Sequence, residues 1–255
     1  MKISIVHPSR NRVKMATEAV QKWKHAGVEY ILSVDYSDTA ENYIGYQELA
    51  KKNKLKLSIN HNKNCVDAVN AGAKQTSGDW IVVVSDDFNC PENWVEKLRE
   101  VVGFESKEPQ IILVNDGISE NLVSLPIMNR KAYEKLGYIY YPKYSSMYAD
   151  TDLFAMAKSY GWLIDARHLL FEHNHFTNGK RESDEAYLRQ NQSAFWAIGK
   201  ALFDRRVKSN FDAIDLTEAE RLIFENQIQQ SSSSNPNQHP NAKPVTKISG
   251  GGQCN

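Results

Sequence analysis

The chain has 255 residues, of which 41% are hydrophobic and 24% are charged. This balance is typical of a globular protein with a packed core and excludes a disordered or fibrous chain. Lysine plus arginine and aspartate plus glutamate each total 31, so the formal net charge is zero. Nothing in that charge supports nucleic acid as a bulk partner.

The number and spacing of the cysteines and the length of the apolar runs indicate the cellular compartment of the protein. Cys65, Cys90 and Cys254 are odd in number and lack paired or metal-type spacing, so neither a disulfide framework nor a zinc ribbon is expected. No leader-like segment opens the chain, and no apolar run reaches the roughly 20 residues of a membrane span. We expect a cytosolic protein without a membrane span or a disulfide partner.

Strands and helices alternate through the first hundred residues. Short β-branched runs that end in polar residues predict strands over Ile3–His7, Glu29–Asp35 and Asp79–Ser85. Apolar residues at three- and four-residue spacing predict helices over Val13–His25, Asp38–Asn53 and Val66–Thr76. The alternation favours an α/β fold with a Rossmann-type, mostly parallel sheet flanked by helices.

The pattern loosens further along the chain. Strands are predicted over 110–115 and 123–128, followed by an aromatic-rich loop over 138–148. We expect one domain over residues 1–212 and a C-terminal helix over 213–230. Residues 231–255 are rich in Ser, Asn, Pro and Gly and hold too few apolar residues to fold, so they are predicted to be a disordered tail.

The predicted strands end in polar residues that point to a site. In open parallel sheets, ligands bind beyond the carboxyl ends of the strands. The polar ends lie at 7–10, 35–38, 61–64 and 85–87. In the last of these, Asp86 and Asp87 follow a buried strand, and adjacent carboxylates repel unless a cation holds them. Mg²⁺ or Mn²⁺ bridging phosphate oxygens would do so, although an acidic cap for a helix near Pro91 is also possible.

The stretch from Asn64 to Ala73, followed by Gly78-Asp79-Trp80 and the strand into Ser85-Asp86-Asp87, resembles the donor-binding half of glycosyltransferase family 2. The opening Ser4–Arg12 resembles that family's first strand and nucleotide-contacting loop, and the resemblance extends over about residues 1–178. It implies a GT-A fold and a nucleotide-sugar donor. It assigns donor binding to Pro8, Ser9, Arg10, Asp35, Asn64, Asn70 and Asp86.

Asp87 matches the family's metal-binding acid, whereas Ser85 stands in place of the first acid of the motif. For Asp35, which matches an acid that holds the base, a helix cap is an equal alternative. The segment Met147–Phe154 resembles the family's Glu-Asp-x-Asp segment, with Ala149 in place of its first acid.

That resemblance makes Asp150 the general base and Asp152 the acid that follows it. Acids in the first turn of a helix are the structural alternative. His173 and His175, two residues apart, would share one face of a strand, and the family supplies a late histidine as a third metal ligand. We favour His175 over His173.

These parts predict an inverting, metal-dependent hexosyl- or pentosyltransferase that uses a UDP-sugar and Mn²⁺ or Mg²⁺. A glycan, a lipid-linked sugar, a protein side chain and a modified nucleobase all remain candidate acceptors. The replacements at Ser85 and Ala149 keep open a non-catalytic nucleotide- or sugar-binding module. A nucleotidyltransferase is less favoured because no Gly-rich loop follows the first strand. The chain also has no P-loop or dinucleotide fingerprint, which argues against a kinase and a dehydrogenase.

Overall fold

The computed structural model of the protein describes residues 1–103, 107–174 and 193–212. Within these ranges the strands are β1 (Ile3–Ser9), β2 (Glu29–Asp35), β3 (Lys56–Asn60), β4 (Trp80–Val83), β5 (Ile111–Asn115), β6 (Ile127–Asn129) and β7 (Leu163–Leu170). The helices are α1 (Val13–Trp23), α2 (Ala40–Asn53), α3 (Cys65–Ala73), α4 (Trp94–Val102), α5 (Arg130–Leu136), α6 (Ala149–Ser159) and α7 (Ser193–Lys208).

The strands form one sheet in the order β3-β2-β1-β4-β6-β5-β7. Strand β6 runs antiparallel to β4 and β5, and the other neighbouring pairs are parallel. The predicted α/β architecture with a mostly parallel sheet is therefore confirmed. Because all strands except β6 point the same way, their carboxyl ends meet at one edge of the sheet.

Two apolar cores lie on the two faces of this sheet, because successive strand side chains point to opposite faces. On β4, Trp80 and Val82 pack into the core that includes α1, while Ile81 and Val83 pack into the core that includes α6. Helix α1 buries Ala16, Ala19, Val20 and Trp23, which is the spacing of one helical face.

The later elements depart from the sequence prediction. The strand predicted over 123–128 is shorter, since only Ile127–Asn129 joins the sheet, although Val123 and Leu125 are buried before it. Strand β7 was not predicted. It lies at the edge of the sheet and carries the exposed charged residues Asp165 and Arg167, which obscure the apolar pattern of a buried strand.

No helix in the described part of the chain is long and apolar enough to cross a membrane. Cys65 and Cys90 are free thiols, and Cys254 lies outside the described residues. The predicted helix over 213–230 and the tail over 231–255 also lie outside them, so the domain division stays a prediction. The cytosolic location is also still a prediction.

Candidate active site

A cleft of about 430 Å³ opens at the carboxyl edge of the sheet. Its walls come from the ends of β1, β2, β4 and β5 and from the first turns of α3 and α6. Most of the residues predicted from the sequence line it together: Pro8, Ser9, Arg10, Asp35, Asn64, Asp86, Asp87, Asp150 and His173.

Arg10 and Asp35 join the loops after β1 and β2. The Arg10 guanidinium lies 3.8 Å from an Asp35 carboxylate oxygen and donates a hydrogen bond of 2.8 Å to Ser37 Oγ. The Asp35 carboxylate accepts hydrogen bonds from the backbone N–H groups of Ser37 at 2.8 Å and Asn62 at 2.9 Å. Asp35 therefore ties the ends of β2 and β3 together while it lines the cleft.

The charge of Asp35 is also fixed by these contacts. Burial acts to raise the pKa of Asp35, but hydrogen bonds from Ser37 and Asn62 and the nearby Arg10 cation hold it below its ordinary value of 3.8. Asp35 is thus an anion at neutral pH, next to the positive charge of Arg10.

Asp86 and Asp87 follow β4 but have different surroundings. The Asp86 carboxylate is buried and engaged by His7 Nε2 at 2.9 Å and by Ser9 Oγ at 3.1 Å. The Asp87 carboxylate is more exposed and accepts a hydrogen bond from Ser85 Oγ. Ser85, which replaces the first acid of the motif, therefore orients the acid that remains.

His173 lies beside Asp87, with Nε2 at 3.6 Å from Asp87 Oδ1. Its ring stacks on Phe88 at a centroid distance of 4.1 Å, and the backbone N–H of Asn174 donates to the Asp87 carbonyl at 2.8 Å. The backbone contacts hold the segment containing His173 against the end of β4. His175, which the sequence favoured, lies outside the described residues.

The Asp87–His173 pair is the described feature that best suits a divalent cation. Across residues 1–103, 107–174 and 193–212, no three His, Cys, Asp or Glu side chains are grouped as a ready-made metal site. One carboxylate and one imidazole still fit Mn²⁺ or Mg²⁺, because such ions are commonly held by few side chains together with substrate phosphates.

Asp150 lies in the first turn of α6 and is half-buried in the wall of the cleft. Burial raises the pKa of Asp150 above its ordinary value of 3.8, an N–H from Thr151 at 2.8 Å offsets part of this, and the charge of Asp116 raises it further. The helix is entered through Tyr148, whose φ of 70° is uncommon for a residue other than glycine. The strained turn directs the chain into α6 next to the cleft.

Asp152 does not reach the cleft, which corrects the catalytic position predicted for it. Its carboxylate is buried and accepts hydrogen bonds from Arg206 Nε at 2.6 Å and Nη2 at 3.0 Å, with Tyr144 Oη at 3.1 Å. Two residues along an α-helix are separated by about 200°, so Asp150 and Asp152 point to opposite sides of α6. Asp152 joins α6 to α7.

Asn70 also lies away from the cleft lining. Its amide nitrogen donates to the Tyr140 carbonyl at 2.7 Å, and its amide oxygen accepts from the backbone N–H groups of Ile139 and Tyr140 at 2.9 and 3.2 Å. Asn70 thus positions Tyr140, which does line the cleft. Asn64 lines the cleft and also caps α3, because its side chain accepts from the Asp67 N–H at 2.9 Å.

Asp116 and Trp196 are among the cleft residues that the sequence analysis missed. Asp116 directly follows β5, is 2% exposed, and accepts hydrogen bonds from Ile118 N, Ser119 N and Ser124 Oγ at 2.6–2.7 Å. It could have been found, because an acid after a predicted strand is the signal that identified Asp35. Trp196 on α7 had no such signal, since it reaches the cleft through packing between distant segments.

The sequence matches Glycosyl transferase family 2 over residues 4–188. It is 26% identical over 241 residues to glycosyltransferase GlyG of Streptococcus pneumoniae serotype 4, a match that covers 82% of this chain and 74% of GlyG.

Solved structures agree on the fold. S. aureus TarS superposes with a TM-score of 0.55 at 12% identity over 92% of this chain, which spans 44% of TarS. Glucosyl-3-phosphoglycerate synthase from Mycobacterium tuberculosis, in complex with Mn²⁺, UDP and glucosyl-3-phosphoglycerate, gives a TM-score of 0.52 at 15% identity, covering 78% of this chain and 79% of the synthase. These neighbours confirm the predicted GT-A fold, and the matched residues show that the chain belongs to glycosyl transferase family 2.

Proposed function

We propose that this protein is an inverting glycosyltransferase that moves a hexosyl or pentosyl group from a UDP-sugar to an acceptor hydroxyl group. The observation that carries the proposal is that the Asp87–His173 pair and the base candidate Asp150 line one cleft. The family membership supports glycosyl transfer, and the UDP bound in the M. tuberculosis synthase supports uracil as the base of the donor nucleotide.

At the donor end, Asp87 and His173 would hold Mn²⁺ or Mg²⁺ against the diphosphate, and the Mn²⁺ in the M. tuberculosis synthase supports this assignment. His175 stays a further candidate ligand. A bound cation supplies neutralisation of the negative charge that develops on the leaving nucleotide. Arg10 and Asp35 would position the nucleotide, because they form the wall where β1 and β2 end.

At the other end, Asp150 would accept the proton of the acceptor hydroxyl as that oxygen attacks the sugar carbon from the face opposite the diphosphate. The burial that raises the pKa of Asp150 makes its carboxylate a stronger base than an exposed aspartate. A single displacement of this kind inverts the configuration and needs no nucleophilic side chain.

A nucleotide-release assay tests the proposal. Common UDP-, GDP- and TDP-sugars are supplied with Mn²⁺, Mg²⁺ or EDTA, and wild type is compared with Asp87→Ala and with Asp204→Ala, a matched loss of one surface acid on α7. Release of UDP from one donor is expected in wild type and Asp204→Ala, and it should be lost with EDTA and in Asp87→Ala. The anomeric configuration of the transferred sugar, read by NMR, tests inversion.

A non-catalytic sugar- or nucleotide-binding module is the second candidate, favoured by Ser85 and Ala149, which replace two acids of the family pattern. If the protein is such a module, the Asp150→Asn variant should bind UDP as tightly as wild type does. Neither wild type nor the variant should release a nucleotide from a donor. Turnover that requires Asp150 would reject it.

A further inference from the structure

A buried histidine, His7 on β1, is hydrogen-bonded through both ring nitrogens. Its side chain is 0% exposed, with Nδ1 at 2.7 Å from the Tyr30 hydroxyl and Nε2 at 2.9 Å from Asp86 Oδ1. Tyr30 lies on the neighbouring strand β2, and Asp86 lies just beyond β4 on the other side. The three side chains therefore form a line across three adjacent strands that ends at the wall of the cleft.

The direction of the hydrogen bonds follows from the chemistry of Tyr30 and Asp86 together. Burial and the charge of Asp86 raise the pKa of the Tyr30 hydroxyl well above its ordinary value, so the hydroxyl keeps its proton. The carboxylate of Asp86 can only accept, so His7 Nε2 carries a proton and donates it to Asp86 Oδ1. In the tautomer with its proton on Nε2, Nδ1 accepts the hydrogen bond of the Tyr30 hydroxyl.

Asp86 is left with a fixed orientation and spare capacity. His7 occupies Oδ1 and Ser9 donates to Oδ2 at 3.1 Å. A carboxylate has about four lone-pair sites, so these two contacts leave about two unfilled, and Asp86 lines the cleft although its side chain is only 3% exposed. An apolar side chain in place of His7 would remove the partner of the buried Tyr30 hydroxyl and would leave the Asp86 carboxylate free to rotate away from the ligand.

We propose that His7 and Tyr30 are positioning residues for the donor: they hold Asp86 so that it accepts hydrogen bonds from hydroxyl groups of the nucleotide-sugar. This inference rests on the proposed function, because it requires a hydroxyl-bearing donor in the cleft. His7 and Tyr30 lie inside the sheet and would act on the donor only through Asp86.

The test measures the donor KM, kcat and the urea midpoint of unfolding for His7→Leu, His7→Gln and Tyr30→Phe, each alone and combined with Asp86→Asn. A hydrogen bond to a charged group contributes about 1.5–3 kcal/mol, so His7→Leu should raise the donor KM by about 10- to 100-fold while kcat stays within about 3-fold. His7→Gln, which keeps an N–H donor, should recover most of the loss. In the Asp86→Asn background His7→Leu should change KM by less than about 2-fold, because the effect acts through Asp86.

Tyr30→Phe removes only one hydroxyl and covers the case in which His7→Leu does not fold. It should raise the donor KM by about 3- to 10-fold, and ¹⁵N NMR of the imidazole should show that the Nε2–H tautomer, dominant in wild type, is no longer the single form. Equal KM effects with and without the Asp86→Asn substitution, or a lower urea midpoint with an unchanged KM, would overturn the proposal.

The fate of the proposed function is read separately from wild type. If wild type neither turns over a nucleotide-sugar nor binds UDP in calorimetry, the proposed function fails and the positioning role fails with it. If wild type is active and only the variant pattern is absent, the positioning role alone is rejected.

Discussion

The buried ion pair between Arg206 and Asp152 makes the sharpest stability prediction. Arg206 is 0% exposed on α7, and its guanidinium holds both oxygens of Asp152 on α6. It also lies over the Tyr141 ring at 3.6 Å and donates to the Asp212 carbonyl at 2.9 Å. Burial acts to lower the pKa of Arg206, but Asp152 raises it above its ordinary value, so the cation is retained.

Arg206→Met removes the cation and leaves the Asp152 carboxylate buried. Removing one partner of a buried pair costs about 3–5 kcal/mol, whereas replacing both by apolar groups is often close to neutral. Arg206→Met should therefore lower the urea midpoint by about 1–2 M at an m-value of about 3 kcal/mol/M. The double variant Arg206→Met with Asp152→Leu should recover more than half of that loss.

Urea unfolding followed by tryptophan fluorescence measures these midpoints. Lys200→Met is the matched control, because it removes an exposed ion pair with Asp204 on the same helix and should leave the midpoint within experimental error. A midpoint for Arg206→Met equal to that of Lys200→Met would refute the reasoning, and so would a double variant less stable than the single one.

Three further predictions concern the sheet and the base. Gly78→Ala should destabilise the protein by about 1–3 kcal/mol in urea unfolding, because its Cβ would lie 2.7 Å from the Ser4 backbone nitrogen. Burial acts to raise the pKa of Glu29, but hydrogen bonds, first among them that of Lys56, lower it to about 2. Glu29→Gln should therefore lower the free energy of unfolding by its full amount above pH 4.5, the ordinary pKa of Glu29. The difference between wild type and variant should disappear as pH falls through about 2, as measured by urea unfolding at each pH. Asp150→Asn should lower kcat by about 10²–10⁴-fold in the nucleotide-release assay and leave the affinity for UDP unchanged. The wild-type rate should rise as pH passes through the raised pKa of Asp150, and this rise should be absent in Asp150→Asn.

The donor side of the cleft could be predicted from the sequence because its information is local. Apolar runs such as Trp80–Val83 predict buried parallel strands, and parallel strands bring their carboxyl ends to one edge. Polar residues that follow such runs, including Asp35 and Asp87, must then lie near one another. Asp116 obeys the same rule, because it directly follows the strand predicted over 110–115.

The opposite side could not be predicted in the same way because its contacts join distant segments. Arg206 pairs with Asp152 across 54 positions, and no pattern near either residue indicates the partner. His7 occupies a position in a strand whose alternation predicts one face but not which polar groups lie there. The angular separation of Asp150 and Asp152 was available from helix geometry alone, and it would have excluded a shared catalytic position.

The two departures from the family pattern remove two acids from the lining of the cleft, and the residues around each position accommodate the change. Ala149 is 4% exposed and packs with Val66, Tyr141 and Leu202, so an acid at this position would be buried among apolar side chains. Such an acid would require a cation or a hydrogen-bond donor to offset its desolvation.

Ser85 retains a polar contact with the acid that remains, because its hydroxyl donates to Asp87 Oδ1. A serine in this position adds no negative charge next to Asp86 and Asp87, which lowers the repulsion that two neighbouring carboxylates must overcome before a cation binds. Both replacements are thus compatible with chemistry in the cleft. The choice between a transferase and a binding module therefore falls on Asp150, whose carboxylate lines the cleft and has a raised pKa.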